Sequence, residues 1–149
     1  MRNPFAIGAA TLAVVLSLGL AACGGSDSDD SLSNADLIAQ ADAICEDYNN
    51  QLVAAFNETD LNNQSSKQEV SAFASDTIVP LYENQVAELR TLEPNEDDAE
   101  AYNDIVDTLD SEVQAVAEDP VAAINQDNPF AGATAKANEF GLEVCGSGA

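Results

Sequence analysis

"LIAQADAICEDYNNQLVAAF", residues 37–56, decides the fold. Leu37, Ala41, Ile44, Cys45, Tyr48, Leu52 and Phe56 recur every three or four positions. An α-helix gathers positions so spaced onto one side. The stretch therefore predicts a single amphipathic helix with one apolar stripe. Ser33-Asn34-Ala35-Asp36 ahead of it can cap the first turn. Asn57 to Asn63, "NETDLNN", breaks the pattern behind it.

The same logic runs downstream. Ser66-Lys67-Gln68-Glu69 reads as a capping box, and Val70, Phe73, Thr77, Ile78, Leu81, Val86, Leu89 and Leu92 form a second stripe. Pro80 falls inside it. Proline lacks the amide hydrogen and clashes with the carbonyl four residues back, on Asp76, so the helix should kink or split there. Pro94-Asn95 opens a third helix. Glu96, Asp97 and Asp98 suit its first turn, where the positive end of the helix dipole favours acids. Tyr102, Ile105, Val106, Leu109, Val113 and Val116 make its buried stripe. Asp119-Pro120 and Asn128-Pro129 are cap-then-proline pairs. The first starts about one turn, Val121 to Ile124, and the second a helix from Phe130 to Phe140. Gly141 can end that helix in the left-handed conformation, with Leu142 folding back on its last turn. No segment alternates apolar and polar residues as a strand would. The expected fold is all-α: an up-and-down four-helix bundle over residues 34–149.

Upstream the chain changes character. Arg2 and the terminal amine precede an uncharged run, Phe5 to Ala22, that ends in small residues, which is the pattern of an export signal over residues 1–22. A transmembrane helix is the alternative, and the run is only just long enough for one. The acidic, Gly/Ser-rich stretch that follows carries no positive charge and argues against a membrane stop.

Leu20-Ala21-Ala22-Cys23, placed at the end of that signal, resembles the lipobox of bacterial lipoproteins. The resemblance implies a diacylglyceryl group on the Cys23 thiol, cleavage before it, and a location outside the cytoplasm at the cell membrane; an ordinary cleaved signal beside an unrelated cysteine is the alternative. Residues 23–33 would then be the lipidated cysteine and a tether. The Gly, Ser and Asp of Gly24 to Ser33 supply no apolar surface to bury, so the stretch is expected to stay disordered, and its ten residues span roughly 17–19 Å on average.

With Cys23 consumed, two of the three cysteines remain in an oxidising compartment, and a Cys45–Cys145 disulfide is expected to close the bundle. The residues are too far apart for a redox-active C-x-x-C pair. "ADAIC" (41–45), "GLEVCG" (141–146) and Leu92-Glu93-Pro94 are similar to the flanking and turn motifs of small helical lipoproteins of actinobacteria. That likeness implies the same staple and fold and no particular activity.

Charge bounds the partners. Arg2 leaves with the signal, so Lys67, Arg90 and Lys136 face 27 acids, a formal charge of −24 (3 − 27) against −23 for the whole chain. Nucleic acid is excluded as a partner, because binding it needs a basic surface. The acid excess serves solubility, or it forms a surface for cations or a basic partner. Glu96, Glu100, Asp104 and Asp107 make an acidic stripe opposite the buried one, a solvated face or a weak calcium or magnesium site. With no histidine in the chain, Ser-His-Asp and Cys-His catalysis are excluded. No cofactor is expected. Tyr48, Tyr82 and Tyr102 sit on or beside apolar stripes, as core residues with hydroxyls reaching the rim. A small-molecule site would lie between helices near them and near Pro80. The expected function is a non-enzymatic, lipid-anchored envelope protein that binds an envelope protein or small ligand. The alternatives are an extracytoplasmic divalent-cation binder and, more weakly, a two-carboxylate hydrolase.

Overall fold

A computed structural model describes residues 31–62 and 64–147. The expected signal, Cys23 and the expected tether as far as Asp30 lie outside the described residues. Among those described, the chain is helical with no strand. Its elements are α1 (Asn34–Glu58), α2 (Lys67–Phe73), a π-helical turn (Ala74–Ile78), α3 (Val79–Leu89), α4 (Glu96–Glu118), α5 (Pro120–Ile124), α6 (Ala131–Phe140) and a 3-10 turn (Cys145–Ser147).

The helix starts follow the caps written into the chain. Ser33 Oγ accepts from Asp36 N at 3.3 Å to open α1. At α2, Ser66 and Glu69 complete the reciprocal box: Glu69 N donates to Ser66 Oγ, and Ser66 N donates to Glu69 Oε2 at 2.7 Å. The Ser66 amide and hydroxyl, both donating to Oε2, hold the Glu69 carboxyl below its ordinary pKa. Asn95 accepts from the amides of Asp97 and Asp98, and Asp119 from that of Ala122. At the end of α6, Gly141 takes φ +103°. Its amide reaches Asn138 O, and that of Leu142 reaches Ala137 O, so the last carbonyls are satisfied as expected.

Two local expectations shift. The last two residues of the expected tether belong to the folded unit. Leu32 N donates to Glu93 O at 2.7 Å, Leu32 O accepts from Asn95 Nδ2, and Leu32 packs on the core. Leu32 is apolar, unlike the Gly, Ser and Asp before it, and the α3–α4 turn offers it a place to bury. The α6 start also differs. Asn128 spends its side-chain oxygen on Phe130 N in a local turn. The helix begins at Ala131 and is capped by α4: Glu112 accepts from Gly132 N at 2.8 Å and Ala133 N at 3.1 Å. A Cβ on Gly132 would stand 2.6 Å from Glu112 Oε1, so a larger residue there would push the capping carboxylate aside.

α3 packs between α1 and α4, and α4 carries α6 on another side. The core joins Leu37, Ala41, Cys45 and Leu52 of α1 to Val86 and Leu89 of α3, the α4 stripe, and Leu142. The Cys45–Cys145 disulfide forms, with Cα atoms 5.2 Å apart, and fastens the last turn to α1. Burying each large aliphatic side chain contributes about 1.5–3 kcal/mol. Leu37 of α1, Tyr102 and Val113 of α4, and Leu142 just after α6 are among the largest side chains fully buried in this core.

Candidate functional site

Pro80 creates the site. It cannot donate to the Asp76 carbonyl, and the chain responds by widening to a π turn over Ala74–Ile78, where Val79 N donates to Ala74 O five residues back. The expected kink is thus a local widening within a continuous run of helix. Below it, α3 packs against α1 and α4; above it, α2 meets α5 instead. The space left between these elements is an apolar groove of about 340 Å³. That lies within the size range of small-molecule sites, roughly 300–1,000 Å³.

Each wall has a sequence origin. Leu52 and Phe56 come from the last turns of α1, Val70 and Phe73 from α2, and Ala74 and Ile78 from the π turn. Tyr82 contributes from α3, Val116 from α4, and Pro120 and Ala123 from α5. The 126–130 connection adds Gln126, Asp127, Asn128, Pro129 and Phe130. Two aromatic pairs shape it. Phe56 and Phe73 have ring centroids 5.3 Å apart, and Tyr82 and Phe130 are 4.3 Å apart. Phe56 corrects the sequence reading. Its periodicity puts it on the apolar stripe of α1, yet it is 53% exposed, and Val53 is 59% exposed. Among the described residues Phe56 meets Phe73 of α2 on one side and otherwise faces the open groove.

Two of the three tyrosines, Tyr82 and Tyr102, come together on one small pocket, and Tyr48 does not join them. Tyr82 lines the groove, and burial pushes its pKa up to about 12. Tyr102 is a core residue, 1% exposed, whose hydroxyl donates to Leu89 O at 2.9 Å. With Tyr82 and Phe130 it lines a second pocket of about 50 Å³ that adjoins the groove and is too small for a ligand. Tyr48 stands outside both, half-buried, its pKa raised by desolvation and by Glu88.

The acidic stripe is exposed along α4 and partly spent on the chain's own cations. Lys136 Nζ lies 2.6 Å from Asp104, and Arg90 reaches Asp107 at 3.0 Å and Asp110 at 2.8 Å. Its bonds to Arg90 and Gln114 hold the Asp110 carboxyl below its ordinary pKa. Among the described residues no three acidic, histidine or cysteine side chains are placed to hold a metal ion, and Glu96 and Glu100 stay apart from the pairs. The stripe is a row on one convex face, which gives an ion too few ligands.

Asp42 is the residue the sequence reading missed. Its carboxylate accepts from the amides of Glu143 at 3.0 Å, Val144 at 3.0 Å and Cys145 at 3.1 Å. It stands three positions before Cys45, on the same side of α1, so one helix face supplies both the sulfur and the clamp that presents its mate. Gln85, buried on α3, donates to Cys45 Sγ at 3.2 Å. No protein-family model, curated protein or solved structure matches this chain.

Proposed function

We propose that this is a lipid-anchored, non-enzymatic binding protein of the bacterial cell envelope. Residues 1–22 direct export, Cys23 carries the diacylglyceryl anchor, and the following residues link it to an up-and-down four-helix bundle. In that bundle α1, the α2–α3 run, α4 and α6 are the four members. The groove beside the π turn holds a small apolar ligand. One observation carries the binding role: an apolar, aromatic-walled groove of about 340 Å³ opens beside the π turn. The Cys45–Cys145 disulfide supports the oxidising location.

The binding role is tested with a neutral environment-sensitive dye, N-phenyl-1-naphthylamine, titrated into the mature domain. Saturable one-to-one fluorescence enhancement is expected, weakened by Ala123→Trp, which fills the groove, and by Phe56→Ala, which strips its exposed rim. No saturable enhancement, or equal enhancement in both variants, would contradict it.

A further inference from the structure

We infer that the groove selects an apolar ligand with a cationic head, a hydrophobic amine, over one with a carboxylate or phosphate; this rests on the binding role proposed above. Among the described residues that line the groove, Asp127 is the sole charged side chain. It is exposed at the rim, and no hydrogen bond or ion pair among the described residues engages its carboxylate.

The backbone adds to this field. Leu52 and Phe56 of α1 and Val116 of α4 line the groove near the C-terminal ends of those helices, at Glu58 and Glu118. A helix C-terminus presents unpaired carbonyls, the negative end of its dipole, and favours cations. Neither last turn holds a basic residue, and each closes on an acid instead. Two of the basic residues after the signal, Arg90 and Lys136, are paired with α4 carboxylates away from the groove. The third, Lys67, stands one turn before Val70 and is not among the lining residues. An anionic head would meet a rim carboxylate and two negative helix poles, offset only in part by the first turns of α2 and the five-residue α5, which reach the lining at Val70 and Pro120. An ammonium would complement all three while its tail fills the aromatic walls.

Calorimetric titration with three probes of one tail, octylamine, octanol and octanoate, tests the inference. Octylammonium is expected to bind about tenfold tighter than octanoate, with octanol between, the sum expected of one exposed ion pair and two helix ends. Asp127→Asn should shrink that margin about threefold and leave octanol unchanged. Ala123→Trp and Phe56→Ala should weaken all three probes. Octanoate binding as tightly as octylammonium would overturn the ligand class while leaving the groove as a binding site. An ammonium preference undiminished in both groove variants would also overturn it, since attraction to the acidic surface would then be the cause. Binding of none of the probes would remove the binding role itself.

Discussion

Replacing Asp42 with alanine removes one acceptor group and three bonds. The amides of Glu143, Val144 and Cys145 converge on this carboxylate at 3.0–3.1 Å, across more than a hundred residues of chain. A hydrogen bond to a charged group contributes about 1.5–3 kcal/mol net. Glu143 is exposed, so water replaces part of that bond, and the disulfide keeps the segment close after the clamp is lost. The expected cost of Asp42→Ala is therefore about 2–4 kcal/mol, a large share of a domain's stability. Asp42→Asn keeps the oxygen facing Val144 and Cys145 but turns an NH₂ toward Glu143, and should cost about half as much. Urea unfolding of the oxidised domain, monitored by circular dichroism, measures both. An Asp42→Ala midpoint indistinguishable from that of the parent, at unchanged slope, would refute the clamp.

Reducing the Cys45–Cys145 bond, with its sequence separation of 100, should cost about 2–4 kcal/mol and no more than ~4.7 kcal/mol; a urea midpoint unmoved by reductant would contradict this. Alkaline pH should destabilise the fold. The Tyr82 pKa is about 12 in the folded state against 10.0 for an ordinary tyrosine, so the folded protein holds this proton more tightly. The resulting stabilisation, about 2–3 kcal/mol, is complete below pH 10 and is lost as pH rises toward 12. Tyr82→Phe should flatten that decline, and a pH profile identical to the parent's would contradict the assignment. Calcium should raise the thermal midpoint no further than sodium at matched ionic strength, because Asp104 and Asp107 already pair with Lys136 and Arg90; a larger calcium effect would revive a specific cation site.

Much of the helical scaffold is legible in the chain because its signals are local. A cap is a serine, asparagine or aspartate at a fixed offset from the amide it binds, and Ser33, Ser66, Asn95 and Asp119 all act as read. The Cys45–Cys145 pairing also follows from the sequence, given that Cys23 is set aside. What escaped detection is non-local. Phe56 continues the periodic stripe of α1, yet it lines an open groove and stays half exposed although Phe73 of α2 meets its ring. Glu112 lies among many acids, and nothing near it in the chain announces that Gly132 will approach closely enough to be capped. Asp42 left a faint trace, since its three-residue spacing to Cys45 places it on the disulfide's side of α1. The candidate site was half legible: Pro80 located the loosened packing and Tyr82 lines it, whereas Tyr102 was drawn into the core by its bond to Leu89.

The lipoprotein assignment turns on the chemical state of three sulfurs, and intact and peptide mass spectrometry of the protein extracted from its native membranes reads all three together. The prediction is a chain that begins at Cys23, bears a diacylglyceryl group there, and yields Cys45 and Cys145 as one linked peptide pair. A chain still beginning at Met1, a free thiol at position 23, or unlinked Cys45 and Cys145 would contradict it.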